Sequence, residues 1–385
     1  MAAFHAVVVQ VGLSFLLLVG AGLVLQSLEH IRNSSPGFSV EHVVLTNVNL
    51  AVAGYDAQRA RTFQDELMDR VRALPGVDSA AYARVVPFSF QNYSAAPIAV
   101  EGYEPRRDQQ PAAEYDEVSP GYFATMGIPL VSGRDFTRSD DENAPPVAIV
   151  NEAMVEQYWR GADPVGQRLE VKGKWMQVVG VARQAKYRGF METSQPFFYV
   201  PLRQNFSSIV ALEVRTAAPL PAVSSALIHE IRALDPDLPA YEAIGMREQV
   251  ERTTAAPHVA VTLLTIFSSF ALLLAAVGLY SVMSYAVSQG TRELGLRMAL
   301  GARAGDLLRL VVRQGLALTA GGVLLGAAAA FGLTRLLGYL LYQVSPRDPL
   351  AFGAAFAVMT VVALAASLLP AWRATRIDPV RALQS

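Results

Sequence analysis

Residues able to do chemistry are sparse in this 385-residue chain and rarely stand at the spacing that chemistry needs. Cysteine is absent, which removes disulfides, thiolate metal sites and cysteine nucleophiles. The five histidines are scattered. His229-Glu230 has no second histidine four residues on, so it makes no zinc-protease helix, and His229 reads as a surface residue. Gly173-Lys174 lacks the upstream glycine and the following hydroxyl of a phosphate-cradling G-x-x-x-x-G-K-[ST] loop. No cofactor, metal or catalytic residue is therefore expected, and the chain is not expected to be an enzyme. What remains is charge set among apolar residues in SQGTRELGLRMALGARAGDLLRLVVRQG, Ser288–Gly315. Glu293 precedes Arg297 by four, the better order for a helix-surface pair. Gly301 breaks that helix, and Asp306 sits near the start of the next, where negative charge is favoured. The stretch is too charged for lipid and too apolar, with Leu294, Leu296, Met298, Leu300, Leu307, Leu308 and Leu310, for a free linker. Such a segment lies in the headgroup region or docks in a groove on a cytoplasmic partner.

The elements that must carry this segment are membrane helices. The chain is 52% hydrophobic and only 17% charged, so part of it belongs in lipid. A net charge of −1 argues against a nucleic-acid partner. Four stretches have the roughly 20 apolar residues of a span. They run from Phe4 to Leu28, between His258 and Arg292, between Arg313 and Arg335, and between Asp348 and Arg373. The second is longer than a bilayer needs and is expected to project beyond it. The first has no basic n-region, too long an apolar run and no cleavage site before Glu29, which disfavours a cleaved signal peptide. None carries Asp, Glu or Lys, so an ion or proton path through them is not expected. Gly322-x-x-x-Gly326 in the third permits close helix packing. Arg292, Arg297, Arg303, Arg309 and Arg313 mark one loop and Arg373, Arg376 and Arg381 the tail, against Arg347 in the short opposite loop. The positive-inside rule then makes the arginine-rich side cytoplasmic and places residues 29–257 outside.

The resulting division is transmembrane helix 1 over 1–28, an external domain over 29–257, helix 2 over 258–287, a cytoplasmic coupling loop over 288–312, helices 3 and 4 over 313–372 and a tail over 373–385. Within the external domain two strand–helix–strand units echo each other. His42–Leu50 reads as a strand before a helix over Asp56–Leu74 that aligns Ala60, Phe63, Leu67, Val71 and Leu74 on one face. Ile209–Thr216 alternates apolar and polar as a half-buried strand does, and the following helix aligns Val223, Leu227, Ile231 and Leu234. The helices end on VRAL-PGV and IRAL-DPDL, and strands follow around Ser79–Val86 and Ala240–Ile244. Between the units lies a mainly β insertion, about 88–206. In it Lys172-Gly173-Lys174 turns a hairpin and Asn151 caps a short helix holding Met154, Val155 and Tyr158. Tyr93, Tyr103 and Tyr115 read as exposed aromatics that could bind a partner, but folded loops use tyrosine routinely and that structural reading is preferred. The expected fold is an α-helical membrane bundle of four transmembrane helices plus an α+β domain.

TRELGLRMALGARAGDLLRLVVRQG, with the closing LLPAWRATRIDPVRAL (Leu368–Leu383), resembles the C-terminal membrane region of FtsX-type ABC-transporter permeases. Val7–Val44 resembles their first span and the start of the MacB-type periplasmic core domain. SPGYFATMGIPLVSGRDF (Ser119–Phe136), APPVAIVNEAMVEQYW (Ala144–Trp159) and DPVGQRLEV (Asp163–Val171) extend the likeness through the insertion. The chain resembles one half of the large duplicated permeases. The resemblance implies a multi-pass protein of the bacterial cytoplasmic (inner) membrane with its large domain in the periplasm. It also implies a permease subunit that couples ATP hydrolysis by a separate cytoplasmic ABC ATPase to movement of that domain, in export or mechanotransmission. The implied partners are that ATPase, a second copy or a related permease half, and membrane lipid. The implied ATPase-coupling residues are Arg292, Glu293, Leu294, Arg297, Ala299, Leu300, Gly301 and Ala302. The chain departs from the family in lacking a basic segment before its first span, which removes the expectation of ATPase contact at that end. The alternatives are an FtsX-like regulator of an envelope enzyme and a membrane-anchored periplasmic binding module without an ATPase.

Overall fold

Charge-free runs of this length become helices because backbone groups in lipid must be satisfied within their own segment. The first of them, α1 (Ala2–Asn33), leads into the external unit. The computed structural model describes residues 2–89, 94–105, 110–239, 241–289, 304–337, 344–345 and 348–374. They divide into two units, Ser35–Thr254 and the combination of Met1–Ser34 with Ala255–Ser385.

The external unit contains two lobes. In the first, β1 (Val43–Asn49), α2 (Ala57–Arg72) and β2 (Val77–Ala83) make one strand–helix–strand unit. The rest of the chain to β10 is the insertion. It comprises β3 (Ser94–Val100), β4 (Ala112–Val118), α3 (Tyr122–Met126), β5 (Leu130–Gly133), β6 (Val147–Asn151), α4 (Glu152–Trp159), β7 (Arg168–Val171), β8 (Lys174–Ala182) and β9 (Phe197–Pro201). The second unit is β10 (Ile209–Thr216), α5 (Leu220–Leu234) and β11 (Ile244–Gly245). The two units interleave in the order β11-β1-β10-β2, every pairing antiparallel, the split βαβ arrangement. The expected repeat is thus one sheet with both helices on one face. Val44, Val48, Val210, Leu212 and Val214 pack there against Leu67 and Val71 of α2 and Leu227 and Ile231 of α5. Asp56 caps α2, its carboxylate accepting the Arg59 N–H at 2.8 Å. The closing strand is shorter than the expected 240–244, because only Ile244 and Gly245 reach β1 among the described residues.

The insertion closes on itself. Its strands run β4-β3-β7-β8-β6-β9, and β9 pairs back onto β4, giving a six-stranded barrel. Alternate residues point inward, as the strand period requires: Ala96, Ile98 and Val100 of β3, Leu169 and Val171 of β7, Phe198 and Val200 of β9. Lys172 (φ 50°) and Gly173 (φ 81°) form the expected β7–β8 turn, both central residues taking the left-handed conformation of a two-residue hairpin loop. The structural reading of the tyrosines agrees with their packing, and only their expected exposure needs correction. Tyr115 is buried in the barrel and stacks on Phe198 at 5.1 Å, and half-buried Tyr103 packs edge-on against Tyr158 at 5.1 Å. Tyr93 lies outside the described residues.

The membrane unit contains α1, most of α6 (Met246–Gln289), α7 (Ala304–Leu337) and α8 (Pro349–Ala374). Four segments are long and apolar enough to cross a membrane: Phe4–Ile31, Val259–Gln289, Gly305–Leu333 and Pro349–Arg373. The α6 helix starts well before its span, and its residues up to Thr254 belong to the external unit. Val7, Val11, Phe15, Val19 and Leu23 of α1 are buried every fourth residue, facing small residues such as Ala351, Ala355 and Ala363 of α8. The α7 glycines do what their spacing predicts. A Cβ on Gly326 would stand 2.5 Å from the Gly12 carbonyl oxygen, and one on Gly322 would stand 2.4 Å from Val11. Close packing of α1 on α7 therefore depends on bare backbone at both positions.

Candidate functional site

The coupling residues Arg292, Glu293, Leu294, Arg297, Ala299, Leu300, Gly301 and Ala302 lie outside the described residues. The helix ends on either side of them are described. Met283 of α6, Val311 of α7 and Ala371 of α8 form a buried cluster there, with Val287, Leu308 and Val312 packed against it. Leu307 is also buried. The apolar residues that made this stretch look unlike a linker are thus partly explained by packing of the first turns of α7. Arg309 and Arg313 fall on the exposed side of that helix, beside Leu310. Arg373 at the end of α8 donates to the Tyr280 hydroxyl of α6 at 2.8 Å. The segment 290–303 is thereby joined at both ends to mutually packed helices.

In the external unit the charged groups gather where the two lobes meet. Asp116 of β4 accepts the backbone N–H groups of Arg84 and Val85 at 3.1 and 2.9 Å, tying the barrel to the end of β2. Arg84 pairs with Glu117 and also donates to Ser94. A chain of phenols lies beside them: the Tyr122 and Tyr187 hydroxyls are 2.7 Å apart, and Tyr187 donates to Tyr199 at 3.3 Å. Phe197 stacks on Tyr187 with ring centroids 4.3 Å apart. Glu213 of β10 completes the group. It is fully buried, and neither of its carboxylate oxygens has a partner among the described residues; the same holds for Asp116 Oδ2. Burial, and then the neighbouring Asp116, holds the Glu213 carboxyl well above the usual range. Burial and then Glu117 push Asp116 up as well, against the two backbone N–H groups and Arg84.

The period of a half-buried strand sets Glu213 opposite Val210, Leu212 and Val214 of IVALEVRT, on the face that alternation alone would leave to water. That face is dry because α3 covers β2 and β10. The available signal was YFATM itself, whose Tyr122, Phe123 and Met126 are too apolar for a solvent loop and are all buried.

A surface groove of about 230 Å³ runs along α2 in the same unit. Arg203 reaches Asp65 at 2.5 Å and Arg138 reaches Asp69 at 3.7 Å among its lining residues, and Arg61 of its lining pairs with Glu142 at 3.4 Å. Exposed pairs of this kind contribute little each and weaken with salt. Among the described residues no group of three or more His, Asp or Glu side chains is placed to hold a metal ion.

Comparison with known families accounts for nearly the whole chain. The MacB-like periplasmic core domain matches residues 12–230, and the FtsX-like permease C-terminal region matches 265–379. This chain belongs to the MacB/FtsX-type family of ABC transporter permeases. The family is one of transporter permeases rather than of enzymes. Its members here include the macrolide export ATP-binding/permease protein MacB of Vibrio parahaemolyticus, 23% identical over 90% of this chain and 54% of that protein. Another is the uncharacterized ABC transporter permease YknZ of Bacillus subtilis, 22% identical over 91% of this chain and 86% of that protein. The chain spans about half the length of the curated MacB relatives it matches, 54%, 41% and 45% for three of them. Among solved structures, the periplasmic region of MacB from Actinobacillus actinomycetemcomitans aligns over 60% of this chain and 98% of that one, at 14% identity and a TM-score of 0.39. Family membership and the four apolar helices make the protein a multi-pass inner-membrane permease with a periplasmic domain.

Proposed function

We propose that the chain is the permease part of an ABC-type export or mechanotransmission system and performs no catalysis itself. ATP is hydrolysed by a cytoplasmic ABC ATPase outside these 385 residues, and the coupling loop delivers its movement to the spans and the periplasmic domain. The observation that supports this best is the succession of a MacB-like core and an FtsX-like region along one chain that has no phosphate-binding loop. Packing of α6, α7 and α8 around the attachment points of residues 290–303 is consistent with a push on that segment reaching three spans. Arg292, Glu293, Leu294, Arg297, Ala299, Leu300, Gly301 and Ala302 are assigned to the ATPase contact. A second copy or a related permease half completes the assembly.

Mild crosslinking in native membranes followed by purification of the permease tests this. An ABC ATPase is expected to co-purify, and its recovery is expected to fall about tenfold in the double variant Glu293→Lys, Arg297→Glu, the loss expected for about 1.4 kcal/mol. Recovery that is unchanged in the variant, or the absence of any ATPase with the parent chain, would overturn the assignment.

A further inference from the structure

Glu213 has both carboxylate oxygens buried without a hydrogen-bond partner, a combination found at no other carboxylate among the described residues. Its strand neighbours in register are Leu45 of β1 and Ala81 of β2, which offer it no donor side chain. The titratable groups facing it are Asp116 from β4 and Tyr122 from α3. The Nε of Arg215, two residues along its own strand, donates to the Thr125 carbonyl at 2.9 Å, and its Nη2 is buried without an acceptor among the described residues. Tyr122 is engaged with Tyr187, and Arg84 with Glu117. An ionised Glu213 in this setting would lose its hydration with nothing to replace it, so only the neutral carboxyl suits the closed arrangement.

The cover over Glu213 is one short helix, α3, whose Tyr122, Phe123, Thr125 and Met126 are all buried. The α3 helix has five residues, Tyr122–Met126, and ends in the left-handed Gly127, whose hydrogen stands where a Cβ would be 2.6 Å from Ser39 Oγ. It is fastened by Ser39 N–H to the Met126 carbonyl at 2.7 Å, by Thr125 Oγ1 to Ser79 Oγ at 3.0 Å and by Arg215. Lifting α3 would expose Glu213 to water and unpack Tyr122 and Phe123 from Tyr199 of β9, while the clusters on α2 and α5 and inside the barrel contain no α3 residue.

We propose that α3 is a proton-held lid on the joint between the two lobes: it stays closed while Glu213 is neutral and opens when Glu213 ionises. The sense of the pH dependence follows from the raised carboxyl. A group held above its unfolded value stabilises the closed form fully below that unfolded value, near 4.3 for glutamate. The stabilisation is lost as pH rises through the higher closed-state value. The joint is therefore firmer in acid and looser in alkali. This does not depend on whether an ATPase drives the chain.

Hydrogen exchange on the full chain in nanodiscs, from pH 5 to 8.5 and corrected for the intrinsic pH dependence of exchange, tests the lid. Amides of residues 122–127 and 211–215 are expected to lose protection with rising pH, by up to about tenfold per unit for one proton. Residues 168–178 of the barrel are expected to stay flat. In Glu213→Gln, and in Glu213→Leu, the lid is expected to keep its acid-form protection throughout. A flat profile in the parent, a pH response that survives both substitutions, or equal loosening of residues 168–178 would each overturn the proposal.

Discussion

Asp140 and Glu213 are buried carboxylates of one domain whose surroundings drive them in opposite directions. The Asp140 side chain is 6% exposed and is held by Arg134 through two bonds of 2.8 Å. It also accepts from the Thr137 N–H at 2.7 Å and the Thr137 hydroxyl at 2.9 Å. The Arg134 guanidinium holds its carboxyl below the usual range. A depressed group contributes its stability above the unfolded value, near 3.9 for aspartate, and loses it as pH falls through the lower folded value. Asp140→Asn is therefore expected to cost about 1–3 kcal/mol at neutral pH, the range for a buried polar group left unsatisfied and for lost hydrogen bonds to a charged group. Hydrogen exchange of residues 134–144 would read this as local opening roughly 5- to 150-fold more frequent. The gap between parent and variant should narrow as pH falls below the unfolded value and close once pH is below the lower folded value. The domain is thus loosened at Asp140 by acid and at Glu213 by alkali, at separate places.

At the level of elements, packing of α1 on α7 rests on glycine. Gly326→Leu would drive a side chain into the Gly12 backbone, whereas nothing lies within 4 Å of a Cβ on Gly332 of the same helix. The first substitution is expected to lower the melting temperature of the detergent-purified chain by several degrees, since overpacking costs about 1–3 kcal/mol. Gly332→Leu should leave it unchanged, which separates backbone contact from a general intolerance of leucine. The Ser14 hydroxyl bonds the Ala271 carbonyl of α6 at 2.8 Å, yet Ser14→Ala should cost only about 0.6 kcal/mol, the average for such bonds in membranes. Close packing at Gly322 and Gly326 was legible in the sequence from their four-residue spacing, but its partner α1 and the Ser14 bond were not. Also legible were the amphipathic faces of α2 and α5, the Lys172-Gly173 turn and the Asn151 cap, which accepts the Met154 N–H at 2.9 Å. Asn151 proved a larger node, also accepting from Phe197 N–H and donating to Gln184 and the Gln195 carbonyl. Barrel closure was not legible. It depends on parallel pairing of β4 with β9, strands about 80 residues apart, and local patterns of alternation carry no record of which edge meets which. Burial of Glu213 was hidden for the same reason, its cover coming from the distant α3.

For the whole molecule, the decisive consequence is sidedness, and the composition makes it unusually simple to test. The chain has no cysteine, so a single introduced thiol is the only reactive one. Lys174 stands exposed beside the β7–β8 turn, in the domain assigned to the periplasm, and Gln289 is exposed at the end of α6, where the arginine-rich loop begins. Positive-inside counting places these residues on opposite sides of the bilayer. Lys174→Cys is expected to react with a membrane-impermeant maleimide in cells whose inner membrane is intact. Gln289→Cys is expected to react only after that membrane is permeabilised. The pair is informative because orientation here rests on arginine counts around short loops. Equal labelling of both cysteines in intact cells, or the reverse pattern, would remove residues 290–303 from the cytoplasm. No cytoplasmic ATPase could then act on Glu293 and Arg297, whatever the likeness of the sequence. The expected pattern would put the coupling segment and the Glu213 lid on opposite faces of one membrane, as force transmission from ATP to the periplasm requires.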